Sequence, residues 1–406
     1  MSESTFDTIL IYNPEGNERE QLTRFIRSCE VYCEVVFNPK EVDHAVGLIE
    51  VSDIPSLKEG ITIPYLNVSP HHIDESQVKE FLFEVCKAQR TWSVENIITD
   101  QIRQLQTQLG KHNVLCGLSG GVDSSVTAAL LQKAVGKQVH LMFVNTGLLR
   151  KGEVEEVHSL FGGENFHYID AQKEFLSSLK DVTDPEKKRK IIGALFIEIF
   201  EREAKKLNNI TFLAQGTLYP DVIESLQHQD GSSVAVKSHH NVGGLPEKMN
   251  MVLVEPLKQL FKDEVRLVGR ALGLPAEVVD RHPFPGPGLG VRCIGAITPE
   301  RLETLREVDA IFIKELRKEN LYDQIWQALA TLLPVKSVGL RDGRRNYQEV
   351  CTIRAITSVD AMSATTYPFT HQFLQHLSEK IVREVPLVSR VLYDITDKPP
   401  ATIEWE

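Results

Sequence analysis

The run Asn113-Val114-Leu115-Cys116-Gly117-Leu118-Ser119-Gly120-Gly121-Val122-Asp123-Ser124-Ser125-Val126 decides the fold of the chain around it. Apolar residues 114–118 predict a buried strand, and Gly120-Gly121 predict a turn at which the backbone can approach a ligand closely. Beyond the turn, apolar residues at helical spacing up to Ala134 predict a helix. A strand, a glycine turn and a helix N-terminus together aim backbone N–H groups at one point, which favours an anion.

The polar side chains of this run also suit a phosphate. Hydroxyl donors surround the predicted anion position: Ser119, Ser124 and Ser125. Asp123 would repel a phosphate unless a divalent cation lies between them, and Mg²⁺ prefers carboxylate oxygen. The loop is not of the Walker type, because neither Gly110-Lys111 nor Gly136-Lys137 is followed by Ser or Thr. An ordinary strand-to-helix turn that happens to carry glycines and serines remains the alternative interpretation.

Composition limits the classes of function. A chain of 406 residues, 42% apolar and 25% charged, is typical of a globular protein with two or three domains. Its net charge of −11 argues against nucleic-acid binding and against a role on membrane surfaces. There is no apolar run of membrane-spanning length, no signal peptide at the start, and no CxxC pair among the six cysteines. We therefore expect a reduced, cytoplasmic protein.

Two sets of strands are predicted ahead of the C-terminal region. The first ninety residues predict a small α/β unit with helices over 18–28, 78–88 and, leading onward, 92–109, and strands over 8–12, 31–36, 45–51 and 61–66. From Val114 onward strands alternate with helices, which predicts a parallel sheet covered by helices on both faces. Its predicted strands are 114–118, 139–144, 166–169, 210–214 and 251–254.

Polar, glycine-containing loops follow three of these strands, at Ser119, at Asn145-Thr146-Gly147 and at Gln215-Gly216-Thr217. The carboxyl ends of parallel strands meet at one edge, so we expect these loops to share a ligand-binding rim. The polar loops that α/β folds generally carry are the alternative. Residues 230–250 show little apolar periodicity and predict a lid, in which Lys237 would neutralise phosphate charge. Arg189 lies in a basic helix start, which suggests an anionic ligand nearby.

The C-terminal region begins after a rigid connector. The prolines and glycines of residues 282–290 exclude helix and inner strand and indicate a domain boundary. Strands over 348–356 and 388–395 with a helix over 371–383 predict a small α+β unit stabilised by a partner subunit. The tail 398–406 is expected to pack against the protein, since Ile403 and Trp405 are costly to leave in water.

These motifs together resemble GMP synthase over roughly residues 91–406. They comprise 119–125, 143–150, 188–193, 214–225, 237–245, 282–290 and 398–406. The resemblance implies attack of the XMP O2 on the α-phosphorus of ATP, release of pyrophosphate, and displacement of AMP by ammonia. It also implies three domains: a degenerate amidotransferase-like α/β domain at 1–90, an ATP-pyrophosphatase (PP-loop) domain at 91–285, and an α+β homodimerisation and XMP-binding domain at 286–406.

The resemblance further implies roles for individual residues. Asp123, as the Mg²⁺ ligand, and Lys237 would act in catalysis. ATP would be bound by Ser119, Gly120, Gly121, Val122, Asp123, Ser124, Ser125, Val144, Gln215, Gly216 and Thr217. XMP would be bound by Arg189, Lys398, Ile403 and Glu404.

The sequence departs from the family in two functional regions. Asn145 stands where an aspartate is usual, which removes a negative charge but keeps an acceptor oxygen. The N-terminal unit is short, lacks a Gly-x-Cys-x-Gly nucleophile turn, and reads Ser69-Pro70-His71 where the family has His-Pro-Glu. We therefore expect no intrinsic glutaminase, with ammonia either free or supplied by a separate glutaminase subunit. A non-catalytic nucleotide sensor or scaffold derived from such an enzyme is the competing hypothesis.

Overall fold

The computed structural model describes residues 6–13, 19–37, 45–57, 61–207, 209–227, 251–341, 343–358 and 361–406. Their contacts form two compact units. The first comprises the described residues of Met1–Gly110, Leu218–Ser233 and Lys258–Leu272, and the second those of Lys111–Thr217, Val234–Leu257 and Gly273–Glu406. The functional boundaries at residues 90 and 285 stay a prediction.

The secondary structure follows the predicted alternation closely. In chain order the strands are β1 Thr8–Tyr12, β2 Tyr32–Val36, β3 Ala45–Val51, β4 Tyr65–Val68, β5 Asn113–Leu118, β6 Val139–Asn145, β7 Phe166–Asp170, β8 Ile210–Ala214, β9 Val252–Val254, β10 Gln327–Arg341, β11 Arg344–Thr357, β12 Thr365–Thr366 and β13 Val388–Tyr393. The helices are α1 Arg19–Ser28, α2 Glu75–Glu80, α3 Val94–Leu109, α4 Val122–Val135, α5 Glu153–Phe161, α6 Gln172–Ser178, α7 Pro185–Ala204, α8 Tyr219–Gln227, α9 Lys262–Ala271, α10 Ala276–Val279, α11 Pro299–Lys318 and α12 His371–Glu384.

The first unit is built on a parallel sheet in the order β2-β1-β3-β4. Its buried residues, among them Ile9, Leu22 and Ile49, form one hydrophobic cluster. β4 begins at Tyr65 rather than at residue 61, because Pro64 has no N–H to donate within a sheet. α2 begins earlier than predicted, where the carboxylate of Asp74 accepts from the N–H groups of Ser76 and Gln77.

The second unit contains the predicted doubly covered parallel sheet, in the order β7-β6-β5-β8-β9. From β5 the chain passes to β6 and β7 on one side and then returns to β8 and β9 on the other. The strand order therefore reverses between β5 and β8, which is where open α/β sheets bind their ligands. The predicted loops after β5, β6 and β8 all lie at this carboxyl edge, as expected.

A second sheet of the same unit lies after the connector. β10 and β11 form a long antiparallel hairpin, and β13 pairs with β11 in parallel. The sequence did not predict β10, because Pro334 interrupts its apolar run. The structure places Pro334 where the register shifts between Leu333 and Lys336, an irregularity that tolerates a missing N–H.

One hydrophobic core joins the two sheets of the second unit. It contains Leu115 and Leu213 from the parallel sheet and Leu305, Leu332 and Ile353 from the C-terminal region. The connector contributes to it, since Leu289 is fully buried and its N–H donates to the carbonyl of Leu148 at 2.8 Å. The C-terminal helices and strands therefore pack directly against the elements that carry the rim loops.

Candidate active site

The loop after β5 forms a closed network of its own polar groups. The Ser119 N–H donates to Ser124 Oγ at 3.2 Å, and the two hydroxyl oxygens lie 3.1 Å apart. Ser124 Oγ donates to the carbonyl of Gly121 at 3.1 Å, and the Gly121 N–H donates to Ser119 Oγ at 3.3 Å. Gly120 has a φ of +77°, a conformation that glycine adopts without strain. Hydroxyls and amides therefore converge at the start of α4, as the sequence predicted.

The loop after β8 lies against this helix start. A Cβ atom added to Gly216 would lie 3.1 Å from Asp123 Cβ, so only glycine allows the two backbones to approach so closely. Next to it, the buried Thr217 donates its hydroxyl to Glu255 Oε1 at 2.6 Å. The Gln215 N–H donates to the carbonyl of Val254 at 2.9 Å. This brings two of the three predicted rim loops together around Asp123.

The loop after β6 is held by Asn145. Its Oδ1 accepts from the Gly147 N–H at 2.9 Å, and its Nδ2 donates to the hydroxyl of Tyr168 at 2.8 Å. Both groups of this buried amide are therefore hydrogen-bonded within the protein. The Val144 side chain belongs to the core, which leaves only its backbone for the predicted ATP contact. Ser125 is also buried, and its N–H donates to the Gly121 carbonyl at 3.1 Å.

Arginines that the sequence did not predict organise the same rim. Arg281 donates through Nη1 to the Gly120 carbonyl at 2.8 Å and to Glu153 Oε1 at 3.0 Å. Arg306 donates to the carbonyls of Gly147 and Leu149 in the loop after β6. These contacts join groups 161 and 159 residues apart for Arg281–Gly120 and Arg306–Gly147, so no local pattern could have indicated them.

The groups around Asp123 fit a magnesium ion bound together with phosphates. Mg²⁺ is usually held by one or two carboxylates, with substrate phosphates and water completing its coordination. Asp123 lies partly exposed in the first turn of α4 and directly precedes Ser124. Within the described ranges no group of three or more His, Cys, Asp or Glu side chains is arranged to hold a metal by itself. A single carboxylate is thus consistent with a metal that arrives with the nucleotide.

The start of α7 meets the end of the chain. Lys188 is fully buried, and its Nζ donates to Glu406 Oε2 at 2.5 Å and to the carbonyl of Cys293 at 2.8 Å. The next residue, Arg189, donates to the backbone carbonyl of Glu406. The anionic ligand that the sequence suggests beside this helix start stays a prediction; within the chain, Lys188 is already paired with the Glu406 carboxylate. Asp184 also caps the helix, accepting from the Lys187 N–H at 2.7 Å.

The C-terminal tail is held against the second sheet by hydrogen bonds, whereas Trp405, which was expected to pack, is 40% exposed. Arg354 is fully buried and donates to the carbonyls of Thr396, Thr402 and Ile403. Lys398 donates through Nζ to the Ala361 carbonyl at 2.8 Å. The backbone of the tail is thus fixed by a buried guanidinium, which also pairs with Asp394 at 3.0 Å.

Glu404 is bound on both of its oxygens. Arg292 donates to Oε2 at 3.0 Å and to Oε1 at 2.8 Å, and Gln327 donates to Oε1 at 2.7 Å. Burial acts to raise the pKa of Glu404, but Arg292 and these hydrogen bonds outweigh it, so the pKa is lowered. Glu404 is therefore held as a carboxylate, inside a network that the sequence motif did not reveal.

A further arginine, Arg150, lies beside this network. Arg150 and Arg292 both contact the ring of Phe284, at 4.8 and 4.9 Å from its centroid, and Arg150 Nε lies 3.1 Å from Asp309. Among the described residues, Nη2 of Arg150 and Nη1 of Arg292 are buried and have no hydrogen-bond partner. The connector therefore carries an aromatic ring into a cluster of opposite charges between the loop after β6 and the tail.

The predictions for Lys237 and for the cysteine thiols have different outcomes. Lys237 and the predicted lid at 230–250 lie outside the described residues. In the first unit Cys29 and Cys33 are buried, and burial raises the pKa of Cys33 to about 12 and that of Cys86 to about 11. Such thiols are protonated at neutral pH and are poor nucleophiles. No helix in the described part of the chain is both long and apolar enough to cross a membrane.

Comparison with known proteins identifies relatives over most of the chain. The family model described as "GMP synthase C terminal domain" matches residues 314–405, and the one described as "NAD synthase" matches residues 94–162. The glutamine-hydrolyzing GMP synthase of Zymomonas mobilis subsp. mobilis is 54% identical over 332 residues, covering 81% of this chain and 63% of its own length. Those of Fusobacterium nucleatum subsp. nucleatum and Thermotoga petrophila are 51% and 50% identical, covering 90% and 92% of this chain and 71% and 75% of their own lengths.

Proposed function

The chain belongs to the GMP synthase family, and from this premise we propose that it catalyses the ATP-dependent amination of XMP to GMP. The chain spans about 63% of the length of the Zymomonas relative, so its activity is proposed from its own residues as well as from that similarity. The observation that carries the proposal is the convergence of the loops after β5 and β8 around Asp123. Amides, hydroxyls and one carboxylate meet there, as a magnesium-bound pyrophosphate requires.

The first step is transfer of AMP to XMP. The XMP O2 forms a bond to the α-phosphorus of ATP while the bond from that phosphorus to the pyrophosphate oxygen breaks. The negative charge that develops on the leaving pyrophosphate is stabilised by hydrogen bonds from the N–H groups of Gly120 and Gly121 and from the hydroxyls of Ser119 and Ser124. Catalysis of this kind depends on positioning and on charge stabilisation, and it needs no protein nucleophile.

The second step consumes ammonia. Its nitrogen bonds to C2 of the adenyl-XMP, the bond from C2 to the AMP oxygen breaks and AMP leaves, and the nitrogen then loses one proton to water to give the amino group of GMP. When Mg²⁺ is bound, it neutralises phosphate charge beside Asp123. The remaining ATP contacts are assigned to Val122, Ser125, Val144, Gln215, Gly216 and Thr217, and Lys237 is assigned to closing the site over the phosphates.

XMP is assigned to the region where α7 meets the tail, with Arg189, Lys398, Ile403 and Glu404 as its binding residues. Three of these residues already have protein partners: Arg189 contacts Glu406, Lys398 contacts Ala361, and Glu404 contacts Arg292. Their side chains are therefore ordered before the nucleotide arrives, which lowers the entropy cost of binding it. The Ile403 carbonyl is likewise held by Arg354 at 3.2 Å.

We assign the ammonia to free ammonium or to a separate glutaminase subunit. Glutamine hydrolysis needs a thiolate activated by a neighbouring base. Cys33 lies on β2, at one edge of its sheet, but is fully buried, and its pKa is raised to about 12 by burial. His71 is largely exposed and pairs with Asp53 rather than with a thiol. These features support a chain without glutaminase activity of its own.

Release of pyrophosphate tests the proposed chemistry. Purified protein should release pyrophosphate from ATP only when XMP and Mg²⁺ are both present. Asp123→Asn keeps the size of the side chain but removes the charge proposed to hold the metal, so it should strongly reduce this release. Pyrophosphate release that ignores XMP, or an intact Asp123→Asn protein with unchanged turnover, would contradict the assignment. ATP binding without any release would instead favour the nucleotide sensor.

A further inference from the structure

We propose that Arg281 is the positioning residue of the phosphate loop: its guanidinium fixes the peptide between Gly120 and Gly121 and so aims the Gly121 N–H at the leaving pyrophosphate. The inference rests on the proposed function, because it assigns this loop to pyrophosphate. It adds a residue from outside the loop motif, contributed by the segment that follows α10.

The contacts of Arg281 form a planar fork. Nη1 donates to the Gly120 carbonyl at 2.8 Å and to Glu153 Oε1 at 3.0 Å. Nη2 donates to both oxygens of Glu156 at 2.5 Å. The Arg281 side chain is only 13% exposed, so these bonds are largely shielded from water. A guanidinium holds such a geometry rigidly because its five N–H groups lie in one plane.

A bond to the Gly120 carbonyl sets the direction of the next N–H. In a trans peptide the C=O and the N–H lie in one plane and point in opposite directions. Arg281 therefore turns the Gly121 N–H away from itself, toward the side of the loop where Ser119 Oγ lies at 3.3 Å. Glycine at a φ of +77° has alternative conformations within easy reach, so an external contact is needed to select this one.

Glu153 closes the arrangement from the other side. A Cβ atom at Gly120 would lie 2.6 Å from Glu153 Oε1, which shows how tightly this carboxylate packs on the loop. Its other oxygen, Oε2, accepts from the backbone N–H of Arg150 at 3.1 Å, and Arg150 lies in the loop after β6. Burial raises the pKa of Glu153 and Arg281 opposes that shift. Without Arg281 the buried carboxylate loses its nearest cation, and both rim loops can relax.

If Arg281 had a purely structural role, replacing it would lower the stability of the protein but would not change how the folded protein binds pyrophosphate. Arg301 provides a matched control. Its side chain is also 13% exposed, and it also donates to backbone carbonyls, those of Ile294 and Ala296, but it has no contact with the phosphate loop. Comparing the two arginines therefore separates lost stability from lost alignment of the loop.

The experiment measures binding of inorganic pyrophosphate with Mg²⁺ by titration calorimetry, together with thermal unfolding. We expect Arg281→Met to weaken pyrophosphate binding by about 10- to 100-fold, the range expected for a misaligned site. Arg281→Lys keeps a cation beside the two glutamates but lacks the fork, and it should fall between parent and Arg281→Met. Arg301→Met should lose stability but keep the parent affinity. In turnover, kcat should fall for the Arg281 variants while the KM for XMP stays unchanged.

The outcomes separate the two proposals. A parent that binds pyrophosphate but makes no GMP would refute the proposed reaction and leave the Arg281 assignment to be decided by the affinities. A folded Arg281→Met protein with the parent affinity would overturn the inference, as would a parent that does not bind pyrophosphate. If Arg281→Met does not fold, Arg281→Lys carries the test, and unchanged affinity in that variant would also overturn it.

Discussion

Lys188 and Glu406 form a buried ion pair across 218 residues of sequence, with Nζ and Oε2 2.5 Å apart and side-chain exposures of 0% and 5%. The pair joins the start of α7 to the last turn of the tail. Arg189, a proposed XMP-binding residue, is the next residue along α7 and also contacts Glu406. The ion pair therefore helps to fix the position of Arg189.

Removing the cation of this pair should destabilise the protein strongly. Lys188→Met leaves the Glu406 carboxylate buried without its cation, and breaking a buried pair typically costs about 3–5 kcal/mol. We expect the free energy of unfolding in urea to fall by about that amount and the KM for XMP to rise. Glu406→Gln retains hydrogen bonding and should lose less. A loss below about 1 kcal/mol in Lys188→Met would show that the pair is not buried in solution.

Glu404 should make stability depend on pH in the acid range. Its pKa is lower in the folded chain than the ordinary 4.5, so its contribution is fully present above pH 4.5 and is lost as the pH falls through the folded pKa. The free energy of unfolding should therefore fall less below pH 4.5 in Glu404→Gln than in the parent. Glu84→Gln, which removes an exposed partner of Lys87, is the control. Identical pH profiles for parent and Glu404→Gln would refute the ion pair with Arg292.

Asn145 should be replaceable by aspartate but not by alanine. A carboxylate can accept from the Gly147 N–H and from the Tyr168 hydroxyl, so Asn145→Asp keeps both hydrogen bonds. Asn145→Ala leaves the Gly147 N–H unpaired, which should cost about 1–3 kcal/mol. Urea unfolding of the two variants provides the measurement. If Asn145→Asp proves as destabilised as Asn145→Ala, the amide donor itself is essential and the substitution from the family pattern is specific to this chain.

We expect the protein to be a homodimer through its C-terminal region. The tip of the β10–β11 hairpin exposes Leu340 by 78% and Tyr347 by 64%, which are costly in water for a lone chain. Sedimentation should give twice the 45.8 kDa of one chain, and Leu340→Asp or Tyr347→Asp should shift it toward monomer. Deleting residues 291–406 is a poorer test, because that region shares a core with the parallel sheet. A monomeric parent that turns over XMP would contradict the expectation.

Local patterns predicted the parallel sheet and its rim loops well. Short apolar runs followed by polar loops that contain glycine indicate buried strands. Gly120-Gly121 indicates the turn after β5, because Gly120 has a φ of +77° and lies too close to Glu153 for a side chain. The same reasoning expected Ile403 and Trp405 to pack, but Trp405 is 40% exposed, and hydrogen bonds from Arg354 hold the tail instead. The long strand β10 was missed because Pro334 within it resembles a break, although the strand accommodates it at an irregularity in its register.

Contacts between distant residues could not be read from the sequence. Arg281 reaches Gly120 across 161 residues, and Arg292 reaches Glu404 across 112. Each pairing depends on how helices and loops pack after the strands are in place, whereas sequence periodicity reports only on neighbours along one element. Glu404 was thus recognised as a site residue, while the arginine that holds it in place was not.

The central claim is that this chain makes GMP from ammonia by itself and cannot use glutamine. The most direct test incubates the purified single chain with ATP, Mg²⁺ and XMP, adding either ammonium chloride or ammonium-free glutamine, and measures GMP. We expect GMP with ammonium only, because burial keeps thiols such as Cys33 protonated. No GMP from ammonium would contradict the proposed reaction. GMP from glutamine that disappears on mutating Cys29, Cys33 or Cys86 would contradict the assignment of the N-terminal unit.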